Sequence, residues 1–267
     1  MRVLRRSLSQ GDAEGTSPAA PPRDRAELEA MLREGPRVVR GLVSPARAAA
    51  LRLEALAALD PGVLAPVAPV RGGRVVLDPR RGLRTARAPL GAFARAVLAG
   101  ESSGYVAASE SDLPAALRDL LPVAEVYAPA PWRVTKLWVG APGTLSALHR
   151  DLAHNAHTVI EGRKRFWLAP PAHDRDVYPC APWSSVPNGA RVDPEAPDLA
   201  RFPRFARVRP TVLEVGEGET LLLPSRWWHH VRTEAPSVAV NTFFAWGALS
   251  TAVAAANALK GALGLNR

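Results

Sequence analysis

From Trp132 to Ala245 the chain breaks into eight short apolar runs, and this spacing narrows the available folds more than any other feature. The runs fall at 132–139, 144–149, 155–160, 164–168, 211–214, 219–223, 229–233 and 237–245. They are rich in β-branched and aromatic residues and end at turn formers: Gly140-Ala-Pro-Gly143, Glu161-Gly162 and Gly216-Glu-Gly218. Segments of this length cannot satisfy their backbone as isolated helices, but they suit strands. Eight in succession predict a mostly β fold, a sandwich or a jelly-roll barrel. Between the fourth and fifth runs lies a proline-rich insertion, about 170–210. Loops that long in a compact domain are usually lids or binding loops.

The flanks read differently. Residues 1–24, rich in Ser, Gly, Pro and charge, are expected to form a flexible tail. Asp24 is placed to cap a helix over Arg25–Arg33, and Ser44 with Pro45 to start another that runs to Leu59. Residues 36–41 read as a strand, and Leu113–Leu121 as a short helix. Within 60–100 only Val75-Val76-Leu77 has strand character. A last helix, about 248–263, carries Leu249, Val253, Leu259 and Leu263. Those residues would pack on the barrel or on a second copy of the chain, making a homodimer. One domain over 25–247 is expected, with its barrel core at 132–247, followed by the helix at 248–267.

Composition excludes several classes. No stretch approaches the ~20 apolar residues of a membrane span. Met1–Gln10 is basic and lacks the apolar centre of a secretory signal; its arginines and serines faintly resemble a mitochondrial presequence, but Asp12 and Glu14 follow. A single cysteine, Cys180, rules out an internal disulfide framework and fits a reducing cytoplasm. The net charge of +9 is almost wholly arginine, with Lys136, Lys164 and Lys260 the only lysines. Clusters at Arg71, Arg74, Arg80, Arg81, Arg84 and Arg87, and at Arg201, Arg204, Arg207 and Arg209, are candidate patches for an acidic or nucleic-acid partner. They lack the interleaved aromatics of a base-stacking surface, and a high-GC coding bias accounts for them as well.

Two short segments carry the chemistry: Leu148-His149-Arg150-Asp151 and Trp227-Trp228-His229-His230. Alternate residues of a strand share a face, so His149 and Asp151 can aim at one point while Arg150 turns away. His229, from a remote strand of the same barrel, supplies a third ligand. Two imidazoles and a carboxylate on one side of a metal leave its other side open, the arrangement of non-haem Fe(II) oxygenases. His230 faces the other way on a regular strand, and Trp227 and Trp228 are read as packing.

The ordered series goes further than the triad. Gly143-Thr-Leu-Ser-Ala-Leu-His149-Arg-Asp151, then Asn155, then Gly162-Arg-Lys164-Arg165-Phe-Trp-Leu-Ala-Pro-Pro171 resembles the JmjC-related cupin-like oxygenases. So does Val215-Gly-Glu-Gly-Glu-Thr-Leu-Leu-Leu-Pro224-Ser-Arg-Trp-Trp-His229, followed by Val240-Asn241-Thr-Phe243. The resemblance covers about 25–247 and is strongest over 132–247. It implies a double-stranded β-helix using Fe(II), 2-oxoglutarate and O2. It also implies that Lys164 holds the far carboxylate of 2-oxoglutarate, with Ser146 donating to the same group. Asn155 and Asn241 match asparagines near the metal-bound end of that cosubstrate.

Three positions depart from the family pattern. Arg150 fills the middle of the His-x-Asp motif, where it meets substrate or solvent. His157 shares a strand face with Asn155 and is expected in the pocket, where relatives carry an apolar or aromatic residue. Phe243 stands where a relative has tryptophan. The resemblance favours hydroxylation of a protein side chain, including that of a ribonucleoprotein. A tRNA base, a small molecule, a cupin enzyme without 2-oxoglutarate, and a non-catalytic metal-binding module remain as alternatives.

Overall fold

The computed structural model describes residues 17–262 apart from 76, 79–81, 84, 103, 123 and 185. Most of the tail expected at 1–24, and Arg80, Arg81 and Arg84 of the first arginine cluster, lie outside the described residues. The N-terminal part comprises α1 (Arg25–Glu34), β1 (Arg37–Arg40), α2 (Pro45–Ala50), α3 (Leu53–Ala57), β2 (Leu64–Arg71) and β3 (Arg74–Val75). It continues with β4 (Leu77–Asp78), β5 (Gly82–Leu83), β6 (Ala86–Pro89), α4 (Leu90–Leu98), β7 (Gly104–Ser109) and α5 (Ala115–Arg118). The barrel strands follow: β8 (Trp132–Gly140), β9 (Leu145–Arg150), β10 (His154–Glu161), β11 (Arg163–Ala169), β12 (Thr211–Gly216), β13 (Glu219–Leu223), β14 (Trp228–Thr233) and β15 (Ser237–Ala245). The chain closes with α6 (Gly247–Ala262).

All eight expected barrel strands form, with ends moved by two residues or fewer. Their pairing is nested: β8 with β15, β9 with β14, β10 with β13, and β11 with β12, all antiparallel. Nested pairing is the signature of a chain folded double and wrapped, so the barrel is a jelly roll. One wall runs β13-β10-β15-β8 and the other β9-β14-β11-β12. Val159, Leu221 and Leu223 from the first wall pack against Phe166, Leu168, Val215 and Val231 from the second. These apolar side chains fill the interior. Each adds about 1.5–3 kcal/mol of burial free energy.

The N-terminal part enlarges the first wall. Beyond β8 come β7 and β2, with β6 beside β2, while β1 covers the free edge of β13. The β2–β3 hairpin reaches round to β9, so one hydrogen-bonded path almost closes the barrel. Only Val75–Leu77 reads as a strand in this region of the sequence, and β2, β6 and α4 are additions that the structure reveals. The helix expected over Ser44–Leu59 is broken in two at Leu51–Arg52. Glu161 from β10 accepts the freed Leu53 N–H at 2.6 Å, capping α3 from another element. Asp24 caps α1 as expected, accepting from the Glu27 N–H at 2.9 Å. The helix expected at Leu113–Leu121 shrinks to the single turn of α5.

The insertion is not a loose lid. Val177, Val192, Phe202, Phe205 and Val208 pack on Leu148, Ala169 and Trp228, the outward face of the second wall. At the other end, Leu249 and Val253 of α6 pack on Trp132, Ala153, Phe243 and Ala245. Leu249 and Val253 are thus used within the chain, while the side chains of Leu259 and Leu263 lie outside the described residues. Among the described residues no helix is long and apolar enough to cross a membrane.

Candidate metal centre

His149 and His229 are register partners on β9 and β14. Their rings lie 4.1 Å apart, and His229 Nε2 approaches Asp151 Oδ2 to 3.3 Å. One donor atom from each of His149, Asp151 and His229 falls within 4.8 Å of the other two, close enough for a single ion to bridge them. Both imidazoles have their tautomer fixed from behind. Nδ1 of His149 donates to Ala147 O at 2.7 Å, and Nδ1 of His229 donates to Trp227 O at 3.0 Å. That turns both Nε2 atoms toward the common point. Burial, reinforced by the neighbouring His229, brings the His149 pKa down to about 4. Burial alone would raise Asp151, but the hydrogen bond and charge of His229, with help from His149 and Lys136, carry it down to about 2. At neutral pH His149 offers a lone pair and Asp151 a charge.

A β-bulge sets the far end of the site. His229 opposes His149, yet Val231 opposes Ser146, so β9 spends one residue more than β14 between the two pairs. Strict alternation would put Ser146 and His149 on opposite faces; the bulge puts both inside. Regular alternation along β14 then places His229, Val231 and Thr233 inward. His230 faces outward, toward Glu195 of the insertion at 3.4 Å.

Lys164 enters the same interior from β11 and is 1% exposed. Its ammonium donates to Tyr105 Oη and Thr233 Oγ1, both at 3.3 Å, and lies 5.4 Å above the Tyr105 ring. Both oxygens are neutral, and burial lowers the Lys164 pKa to about 7. The Tyr105 hydroxyl also hydrogen-bonds Ser146, and burial pushes its pKa up. Tyr105 and Thr233 are absent from the sequence reading. The alternation Gly104-Tyr-Val-Ala-Ala108 carries a strand signal, but nothing local says that β7 borders the barrel.

Asn155 and His157 lie on one face of β10, opposite Phe243 and Asn241 of β15. Asn241 Oδ1 accepts from Trp138 Nε1 at 2.5 Å. Asn155 Oδ1 and His157 Nε2 are buried and have no hydrogen-bond partner among the described residues. An amide oxygen and a ring nitrogen left so are costly unless a ligand or water meets them. Phe243 stands 5.8 Å from Lys136 Nζ, beside α6. The structure thus brings His149, Asp151, His229, Lys164, Ser146, Asn155, Asn241 and His157 to one barrel interior, with Phe243 on the same face of β15. A cosubstrate carrying a carboxylate and metal-chelating oxygens suits this donor set: cation and hydroxyls at one end, the triad at the other.

Arg150 is elsewhere, which corrects its place in the substrate pocket. Its guanidinium turns outward, 4.8 Å over the Trp228 ring, and donates to Asp174 Oδ2 at 2.5 Å. Asp174, in the insertion, also accepts from Trp228 Nε1 at 2.8 Å and from Arg226 at 3.2 Å. Burial alone would raise its pKa; the Trp228 and Arg150 hydrogen bonds and the two arginine charges hold it below the usual range. Arg226 sits at φ +66°, a left-handed conformation that costs of order 1–3 kcal/mol. Its N–H bonds Asp151 O at 2.7 Å, tying the turn before His229 to the Asp151 segment. The strand edge at His149 is covered by the insertion, where Asn188 O accepts from the Arg150 N–H and Ala190 N–H donates to Leu148 O.

Asp193, Glu195 and His230 form a second group of potential ligands. Arg74 is paired with Asp193, and Arg232 grips both oxygens of Glu195, so these carboxylates are neutralised by arginine. Other arginines of the two surface clusters are similarly engaged. Arg87 donates to Leu64 O and Asp112 O, and Arg204 lies 4.4 Å over the Tyr178 ring.

Comparison with known proteins agrees with this geometry. A family model described as a cupin-like domain matches residues 27–247. The human "Bifunctional peptidase and (3S)-lysyl hydroxylase JMJD7" is 31% identical over 208 residues, covering 66% of this chain and 63% of the relative. The "Jumonji C domain-containing protein 5" of Drosophila melanogaster is 39% identical over 106 residues, 40% of this chain and 26% of the relative. The "Lysine-specific demethylase 8" of Xenopus tropicalis is 36% identical over 95 residues, 36% of this chain and 21% of the relative. The alignments thus span less than two thirds of each of these relatives.

Proposed function

Because this chain belongs to the cupin-like domain family, in its JmjC-related branch, we propose that it is an Fe(II)- and 2-oxoglutarate-dependent oxygenase that hydroxylates a C–H bond on a protein side chain. One observation carries the reading. A buried ammonium whose partners among the described residues are neutral oxygens shares an interior with two imidazoles and a carboxylate that can bind one ion. A buried cation of that kind is stable chiefly when a carboxylate joins it. Iron, 2-oxoglutarate and O2 together would supply the oxidising power, with succinate and CO2 as co-products.

The protein's own groups divide the remaining work. His149 and His229, oriented by the Ala147 and Trp227 carbonyls, and Asp151 would hold the metal on one side and leave the other open. Lys164, Tyr105, Ser146 and Thr233 would anchor the far carboxylate of 2-oxoglutarate. Asn155 and Asn241 would meet its metal-bound end. The apolar wall of Val159, Phe166, Leu168 and Val231 excludes water from the path between.

A protein substrate is favoured by two relatives whose names describe action on lysine. The described arginines of the surface clusters give less support to a nucleic acid, since several are bound within the fold. A reducing compartment such as the cytoplasm fits the lone Cys180. The test is succinate release from 2-oxoglutarate in the presence of Fe(II) and O2. The wild-type protein should turn over, and Asp151→Ala should lose at least 100-fold. Equal turnover by the variant, or none by the wild type with either a lysine-bearing peptide library or no substrate, would refute the reading.

A further inference from the structure

His157 is the polar side chain of the barrel interior that the reading above leaves without a task. It is 7% exposed, and its Nε2 has no hydrogen-bond partner among the described residues. Its place in the barrel interior is fixed by three neighbours. It follows Asn155 on the inward face of β10, it pairs with Asn241 across β15, and its ring meets the edge of Phe166 at 5.2 Å. Phe166 in turn is two residues from Lys164 along the inward face of β11. Burial, then the Lys164 charge and then that of His229, hold the imidazole well below its ordinary pKa. It is therefore neutral, with one N–H to give, and the Lys164 ammonium acts on it more strongly than His229 does.

A neutral ring set between Asn155, Asn241 and the edge of Phe166 is a poor choice for packing alone. Phe or Leu would fill the same space without burying an unmet nitrogen, whose desolvation is unfavourable. The nitrogen becomes favourable when an acceptor arrives beside Lys164. We propose that His157 is a specificity-determining residue whose Nε2–H donates to the far carboxylate of the cosubstrate, alongside Lys164. This rests on the 2-oxoglutarate reading and adds to it a second nitrogen donor that selects for dicarboxylates.

The test is calorimetric titration of the Mn(II)-loaded protein, in which binding is read without turnover. Two ligands are compared: 2-oxoglutarate, and 2-oxopentanoate, which keeps the metal-chelating end and replaces the far carboxylate with a methyl group. His157→Phe should weaken 2-oxoglutarate about tenfold, the worth of one hydrogen bond to a charged group. It should leave 2-oxopentanoate and Mn(II) affinities unchanged. His157→Gln, which retains an N–H donor, should recover most of the loss, and His157→Leu should repeat the result for Phe. An unchanged 2-oxoglutarate affinity, or equal weakening of both ligands, would overturn the assignment while the parent reading stands. A wild-type protein that takes up Mn(II) but no 2-oxoglutarate would overturn both.

Discussion

Replacing Lys164 by methionine should stabilise the ligand-free protein and destroy its cosubstrate affinity, two effects of opposite sign from one atom group. The folded-state pKa is about 7 against an ordinary 10.5, a gap of about 3.5 units caused by burial. At about 1.36 kcal/mol per unit, the ceiling on the penalty is of order 5 kcal/mol. The direction follows from linkage. A folded pKa below the unfolded one means that the unfolded chain binds more protons between pH 7 and 10.5. Wild-type stability therefore rises with pH across that window, and the penalty is fully present below 7. Methionine has nearly the same length and no charge, so its advantage is largest at pH 7 and below and fades toward pH 10. Even 2 kcal/mol of gain would lift Tm by about 4 °C or more in a chain of this size. Meanwhile the loss of a charge-assisted pair should weaken 2-oxoglutarate about 100-fold. Thermal melts from pH 6 to 10, with calorimetry of 2-oxoglutarate binding to the Mn(II)-loaded protein, read both. A methionine variant that melts lower at pH 7 would refute the account of Lys164 as an ammonium held for an absent carboxylate. So would one that binds 2-oxoglutarate normally.

Tyr105→Phe removes one hydroxyl from the Lys164 end and should weaken 2-oxoglutarate about tenfold with Mn(II) affinity unchanged; equal affinity for 2-oxoglutarate would remove Tyr105 from the anchor. Asp174→Asn loosens a carboxylate that gathers Arg150, Arg226 and Trp228, each one or a few residues from a triad member. It should lower Tm by several degrees and weaken Mn(II) about tenfold. A drop in Tm with unaltered metal affinity would make Asp174 a latch for the insertion alone.

Much of the site was legible because strands report their facing side chains locally. His149 with Asp151 and the His229 strand each carry their signal within a few residues, the place of Lys164 comes with the family resemblance, and the eight runs mark the strands of the jelly roll. Two kinds of information were not local. The β9 bulge that brings Ser146 to the side of His149 exists only against β14. Tyr105 reaches Lys164 only because β7 joins the barrel wall beside β8. Arg150 illustrates a third limit. Its outward direction follows from alternation, but its partner Asp174 comes from an insertion whose packing on Trp228 has no periodic signature. The broken helix at Leu51 has the same origin, since the cap that makes the break tolerable is Glu161, far along the chain.

The most direct test of the central claim is a crystal soaked in Mn(II), with the ion located by its anomalous scattering. The account predicts one ion within about 2.0–2.3 Å of Nε2 of His149, Nε2 of His229 and a carboxylate oxygen of Asp151. An ion seated instead among Asp193, Glu195 and His230, or none in the barrel at saturating Mn(II), would contradict it.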